Sequence, residues 1–204
     1  MSDKELGPLS GLEGIWEGGK GIDQAPDDDP AQVETNRYRE RMTFAPTGLV
    51  ANHQQKLYGL RYATTAWRLG EEDPFHEELG YWLWDAGAKQ VLRCFMVPRG
   101  VTVIAGGTAE PDASSFRLSA EVGSETYGIC SNRFLDQEFK TLRYELAFEI
   151  RDPATIHYRE DTVLKIKGMD EPLPPHRREH PDEGRLKAAH SSPARRARPR
   201  GAPP

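Results

Sequence analysis

The stretch KTLRYELAFEIRDPATIHYREDTVLKI, residues 140–166, decides the fold class of this chain. Apolar side chains occupy alternate positions through residues 142–150, and most of the positions between them are charged or polar. A period of two is typical of a strand with one dry face and one wet face. Residues 156–166 repeat the pattern after an Asp-Pro turn at 152–153, so the stretch predicts a β-hairpin. Four side chains of its first strand should face the interior: Leu142, Tyr144, Leu146 and Phe148.

The remainder of residues 1–170 reads as further short strands separated by turn signals. About ten antiparallel strands in one domain predict an all-β fold, a single up-and-down barrel that could enclose one small ligand. The segment Gly14-Ile15-Trp16-Glu17-Gly18 favours a calycin-like barrel, because the glycines permit a bend and Trp16 supplies a large apolar stopper for a closed end. We expect a long loop over residues 19–36.

Composition limits the environment and the partners. Only 37% of the 204 residues are hydrophobic, and no run approaches the ~18 apolar residues of a membrane span, so we expect no membrane association. The N-terminus has no apolar signal core, and two cysteines do not make a disulfide framework, so we expect a reducing cytoplasm. The formal net charge is −5, which argues against a nucleic-acid partner.

The C-terminal segment, residues 171–204, differs from the rest of the chain. It holds eight Lys/Arg against four acidic residues, eight of the sixteen prolines and no aromatic residue. A segment with so few large apolar groups cannot offset the entropy of ordering itself. We therefore predict two parts, a barrel domain over residues 1–170 and a Pro/Arg-rich disordered tail over residues 171–204.

Residues that could carry chemistry are few. None of the six histidines has a metal-ligand spacing such as HExxH, and the sequence holds no phosphate-binding or dinucleotide fingerprint. His76 has two readings: an imidazole that lines a cavity at the mouth of the barrel, or a histidine at a loop edge that pairs with Glu77 or Glu78. Local pattern alone favours the second reading.

Three segments, taken in order along the chain, resemble those of a known family. They are Gly14-x-Trp16-x-Gly18 in the first strand, Thr64-Thr65-Ala66-Trp67 at the end of a long strand, and a segment with Pro74, His76, Glu78, Gly80 and Tyr81. Their order and spacing over residues 9–168 resemble the nitrobindin family. These proteins are heme-binding β-barrels similar to fatty-acid-binding proteins. The resemblance implies a ten-stranded barrel with an apolar cavity open at one end.

The same resemblance implies a cofactor and its site. Family members bind ferric heme b through one histidine after the last strand, leave the other axial position open for nitric oxide or peroxynitrite, and isomerise peroxynitrite to nitrate. By this likeness His176 would be the iron ligand. His76 would face the bound anion as the catalytic residue, and Phe75 would line the cavity with it. The resemblance also allows for a homodimer.

Two other functions remain open from the sequence. The same barrel could carry a fatty acid or another small apolar ligand without heme. Alternatively, the basic tail could contact acidic partners, with the barrel as a scaffold. In the first two functions the partner is a small molecule in the barrel cavity, and an absorption spectrum after addition of hemin separates them.

Overall fold

The computed structural model describes residues 5–26, 33–169, 172 and 176–179, together with the backbone of residues 186–188. This part of the chain contains one α-helix, α1 (Arg133–Glu138), a 3-10 turn (Gly7–Leu9) and twelve strands. The strands are β1 (Gly14–Pro26), β2 (Val33–Asn52), β3 (Gln55–Arg68), β4 (His76–Asp85), β5 (Gln90–Val97), β6 (Val101–Thr108), β7 (Ser115–Val122), β8 (Gly128–Ser131), β9 (Phe139–Asp152), β10 (Thr155–Ile166), β11 (His176–Glu179) and β12 (Leu186–Ala188).

The strands form one sheet that closes on itself. Each strand from β1 to β6 pairs antiparallel with the next strand in sequence. β6 also pairs with β7 and β8, β7 pairs with β9, and β9 pairs with β10. Closure comes from β11 and β12, each of which pairs with both β10 and β1. The predicted all-β antiparallel barrel is therefore confirmed, with more strands than the ten expected and one parallel pairing, between β7 and β8. No helix in the described ranges is long and apolar enough to cross a membrane.

The N-terminal segment closes one end of the barrel. Leu9 and Leu12 are fully buried beside Trp16, which is 1% exposed and donates its indole N–H to the carbonyl of Leu12 at 2.9 Å. Gly7 has φ of +53° and lies against Trp84, so that a Cβ there would meet the indole ring. The predicted position of Trp16 in the interior is confirmed.

Residues 19–26 and 33–36 of the expected long loop belong to strands instead, and residues 27–32 lie outside the described residues. β1 continues through a register shift between Gly18 and Gly21 and ends at Pro26, and β2 begins at Val33. A Cβ on Gly21 would lie 2.4 Å from the ring of Tyr38, so glycine here leaves room for that buried ring. Gly21 therefore serves a close approach within a strand.

A bulge changes which side chains of β9 face inward. Arg143 pairs with Val163 and Thr141 pairs with Leu164, so Leu142 has no partner on β10. Thr141 lines the interior cavity in its place, and Leu142 is half-buried. The prediction for Leu142 is wrong, because the bulge interrupts the period of two, whereas Tyr144, Leu146 and Phe148 are buried in the core as predicted.

Two strands lie within the segment that was predicted to be a disordered tail. Residues 176–179 form β11 and residues 186–188 form β12, and both complete the barrel. Disorder is thus wrong for these residues, and the others of 171–204, apart from Pro172, lie outside the described residues. A lack of apolar residues does not exclude order here, because Arg178 is held at 4% exposure by buried carboxylates.

Candidate functional site

A cavity of about 750 Å³ opens at the end of the barrel away from Trp16. Its rim comes from the ends of β1, β3, β5 and β10 and the starts of β2, β4, β6 and β9, and α1 adds Leu135. Its size lies in the usual range of ligand pockets. Ten apolar residues line it: Ala25, Pro26, Phe95, Val97, Val101, Val103, Leu135, Phe139, Leu164 and Ile166.

His76 lies in the wall of this cavity. It begins β4, and its Nε2 lies 2.7 Å from Oε1 of Glu78, two residues further along the same inward face. Glu78 is 1% exposed. The two readings of His76 are therefore compatible, because the histidine both lines the cavity and pairs with a carboxylate.

His176 lines the same cavity from β11. Its Nε2 lies 2.7 Å from Oδ1 of Asp23, a residue of β1 that is 1% exposed. The fold thus brings together two histidines that are a hundred residues apart in the sequence. Each ring has a buried carboxylate at Nε2, which leaves Nδ1 as the ring nitrogen away from that carboxylate.

Phe75 has a different environment. It directly precedes β4, and its ring packs edge-to-face on Tyr38 with the centroids 5.8 Å apart. The guanidinium of Arg68 lies 5.2 Å from the Phe75 ring centroid. Phe75 lies next to His76 in the sequence, but it is not among the described residues that line the cavity.

Four buried charged side chains form a cluster beside the cavity, and three of them, Glu78, Glu160 and Arg178, line it. Arg93 donates from Nη2 to Glu78 and from Nη1 to Glu160, the latter at 2.7 Å. Arg178 donates from Nη2 to the other oxygen of each carboxylate, at 2.7 Å for Glu78. Each carboxylate therefore bridges two guanidinium groups, and the cluster is formally neutral.

The electrostatics of this cluster keep both carboxylates ionised. Burial acts to raise the pKa of Glu78, but Arg93, the hydrogen bond from His76 and Arg178 outweigh it and hold the pKa well below its usual value. Burial opposes ionisation of Glu160 as well, and Arg178 and Arg93 lower its pKa overall. Buried charges are tolerated only when they are paired and hydrogen-bonded, and these meet both conditions.

Aromatic rings surround the deeper arginine. The guanidinium carbon of Arg93 lies 4.5 to 5.7 Å from four ring centroids, those of Phe95, Tyr62, Trp82 and Tyr144. The hydroxyls of Tyr62 and Tyr144 accept from Arg93 and donate to its carboxylate partners. Burial raises the pKa of both tyrosines well above the usual value, so both hydroxyls keep their protons.

This cluster of buried charges was not identified from the sequence, although the inward positions of two of its members can be read from it. In β5, Arg93 lies on the same inward-facing side as Val91 and Phe95. In β10, Glu160 lies on the same inward-facing side as Tyr158. A charged residue at an inward position of a barrel strand requires a partner in the interior. That partner could not be identified without the register of the other strands.

The sequence matches the THAP4-like, heme-binding beta-barrel domain family over residues 5–180. The chain belongs to this family. A protein named peroxynitrite isomerase, from Clavibacter michiganensis subsp. michiganensis (strain NCPPB 382), is 36% identical over 80 residues, which are 38% of this chain and 35% of that protein. The chain thus spans about a third of the length of this relative. The crystal structure of Rv2717c from M. tuberculosis superimposes with a TM-score of 0.61 at 18% identity, covers 91% of this chain and 97% of the other, and supports the fold.

The cavity has a set of donor residues that suits heme. Apolar side chains form about half of its wall, where a porphyrin face could pack, and His176 offers an imidazole that is oriented by the carboxylate of Asp23. Metal-bound histidines typically donate their second ring N–H to such a carboxylate. Arg68 and Arg99 lie at the rim, where propionate groups would need cationic partners.

Proposed function

We propose that this domain binds heme b in the cavity, with His176 as the iron ligand, and isomerises peroxynitrite to nitrate. The observation that carries the proposal is the convergence of His176 and His76 on one cavity of about 750 Å³ whose wall is about half apolar. Support at the level of the family comes from the heme-binding domain, and the finer activity comes from the relative named peroxynitrite isomerase.

In this proposal His176 is held by two elements. β11 brings the imidazole into the cavity, and Asp23 accepts a hydrogen bond from Nε2, so that Nδ1 is the nitrogen available for iron. Asp23 thereby sets both the tautomer and the ring orientation, as carboxylate partners of metal-bound histidines do. Bound heme would supply a Lewis-acidic iron to which nitric oxide or a peroxynitrite oxygen can attach.

His76 would act on the bound anion. Glu78 fixes its Nε2, and a proton on Nδ1 would be donated in a hydrogen bond to an anion oxygen. Peroxynitrite and nitrate are isomers, so the reaction needs no other reactant and releases no proton. The apolar wall would exclude water while the oxygen atom moves.

Hemin titration of the purified domain tests the proposal. We expect one equivalent of hemin to bind with a histidine-ligated ferric spectrum that His176→Ala abolishes. His76→Ala should retain the spectrum and slow the decay of peroxynitrite. His53→Ala is the control, since His53 lies in the β2–β3 turn and outside the cavity. An unchanged spectrum in His176→Ala would show that another group binds the iron.

The apolar wall also supports a second function, that of a heme-free carrier of a small apolar ligand. Ten apolar residues line a volume that would suit such a ligand. If the wild-type protein takes up no hemin, this function replaces the first. A fluorescent fatty acid that binds in the cavity, and is displaced by an unlabelled one, would then support it.

We further propose that the domain forms a homodimer through its outer face at β4–β6. Leu79 is 62% and Met96 52% exposed, and the two are direct cross-strand partners. Tyr81 and Ile104 extend the patch on either side of Cys94. A continuous apolar patch of this kind suits a self-complementary two-fold contact with a second copy of the chain.

A further inference from the structure

The strand that carries His176 has no apolar side chain. β11 reads His-Arg-Arg-Glu over residues 176–179, with His176 and Arg178 toward the cavity. Three of its residues pair with β1 and four with β10, and ordering so short a strand costs conformational entropy. Hydrophobic burial therefore does not explain why β11 lies in the barrel wall.

Arg178 makes contacts that can hold this strand. It is 4% exposed, and its Nη2 donates to Glu160 on the adjacent strand β10 and to Glu78 on β4. β4 does not pair with β11, so the bond to Glu78 crosses the barrel interior. Charge-assisted bonds in such a buried place are strong and are little screened by salt.

The neighbouring arginine provides a contrast. Arg177 lies on the outer face of β11 and bonds Asp161 at 2.7 Å, with 39% of its side chain exposed. Its partner Asp161 is 8% exposed and also has Nε of Arg159 at 3.2 Å, so this carboxylate keeps a cationic partner without Arg177. Two arginines that are adjacent in the sequence thus differ in burial and in the number of carboxylates that they bind.

We infer that Arg178 is a positioning residue for His176: its bonds to Glu78 and Glu160 hold β11 against the barrel and so keep the imidazole in the cavity. The inference rests on the proposed function in taking His176 as the iron ligand. Asp23 orients the ring of His176, and Arg178 holds the backbone from which that ring extends.

Hydrogen exchange on the heme-free protein tests the first half of this inference. In Arg178→Met we expect the amides of residues 176–179 to exchange at least about tenfold faster than in the wild type, while the amides of β9 keep their protection. Arg177→Met should match the wild type, and Arg178→Lys should lie between. Wild-type protection of residues 176–179 in Arg178→Met would overturn the inference.

The test can still be made if Arg178→Met fails to fold. In Arg178→Met, Arg93 still pairs with Glu78 and Glu160, but the cluster carries one excess negative charge. The double variant Arg178→Met/Glu160→Gln restores the charge balance and is used if the single variant does not fold. Its residues 176–179 should exchange as fast, and full protection there would again overturn the inference.

Hemin binding tests the second half. We expect Arg178→Met to take up hemin without the histidine-ligated ferric spectrum, and millimolar free imidazole to restore that spectrum. A general loss of structure would not be rescued in this way. A wild-type spectrum in Arg178→Met without imidazole would overturn the positioning role. If the wild type itself shows no spectrum that depends on His176, the proposed function fails, and hydrogen exchange still decides whether Arg178 holds β11.

Discussion

Arg178 donates a hydrogen bond at 2.7 Å to Oε1 of Glu78, across the interior of the barrel and from a hundred residues further along the chain. The same oxygen lies 2.7 Å from Nε2 of His76. The carboxylate of Glu78 therefore links β11, the strand that carries His176, to His76 at the start of β4. The C-terminal strand β11 is part of the cavity and not an appendage of the barrel.

Acid should destabilise the domain through its buried carboxylates. The pKa of Glu78 and the pKa of Glu160 are both lowered in the folded protein, because their arginine partners outweigh burial. The stabilisation is therefore complete above the unfolded-state value of ~4.3 and is lost as the pH falls toward the lower folded value. We expect the free energy of unfolding in urea to decrease steadily below about pH 4.5.

A variant isolates the contribution of one carboxylate. Glu160→Gln should be less stable than the wild type at pH 7 and should lose stability less steeply in acid. Glu110→Gln is the control, because its ion pair with Lys89 is more than half exposed on both sides. Stability profiles of Glu160→Gln and the wild type that run parallel down to pH 3 would contradict this account.

Trp16 should contribute strongly to stability. Its side chain is 1% exposed in the closed end of the barrel, so Trp16→Ala should lower the free energy of unfolding by about 3–5 kcal/mol. Trp67→Ala is the matched control. Trp67 is half-buried under the guanidinium of Arg39, which lies 4.1 Å from its ring, and a loss of about 1 kcal/mol is expected. Equal losses in urea unfolding would refute the role of Trp16 as the plug.

Gly80 should not tolerate a side chain. A Cβ at this position would lie 1.9 Å from the carbonyl oxygen of Cys94 and 2.7 Å from Cα of Phe95, both in the backbone of β5. Gly80→Ala should therefore destabilise by at least about 1–3 kcal/mol through a local shift of β4 from β5. Gly19→Ala meets nothing within 4 Å and should stay within about 0.5 kcal/mol of the wild type. A stable Gly80→Ala would contradict this close approach.

The proposed dimer can be tested by mass measurement in solution. We expect light scattering to give twice the chain mass for the wild type, and one chain mass for Leu79→Lys, whose ammonium would be desolvated in the contact. Leu69→Lys is the control, because Leu69 is 49% exposed in the turn after β3 and away from the patch. A monomeric wild type, or a dimeric Leu79→Lys, would exclude this contact.

Local pattern was a reliable guide wherever one strand face is wet and the other is dry. The hairpin of β9 and β10 was predicted almost to its ends, because alternation is a property of each strand alone. The interior position of Trp16 is predictable for a similar reason, because a large apolar ring flanked by glycines favours burial. The prediction failed at Leu142, where a bulge depends on the partner strand.

The assembly of the site is not a local property. Glu78, Arg93, Glu160 and Arg178 come from four strands, and each reads as an ordinary charged residue until the register shows which side chains meet. The sequence by itself determined an all-β barrel with an apolar lining and two candidate histidines. Only the tertiary structure decided that β11 completes the wall, because a buried arginine is stable there only when carboxylates from distant strands surround it.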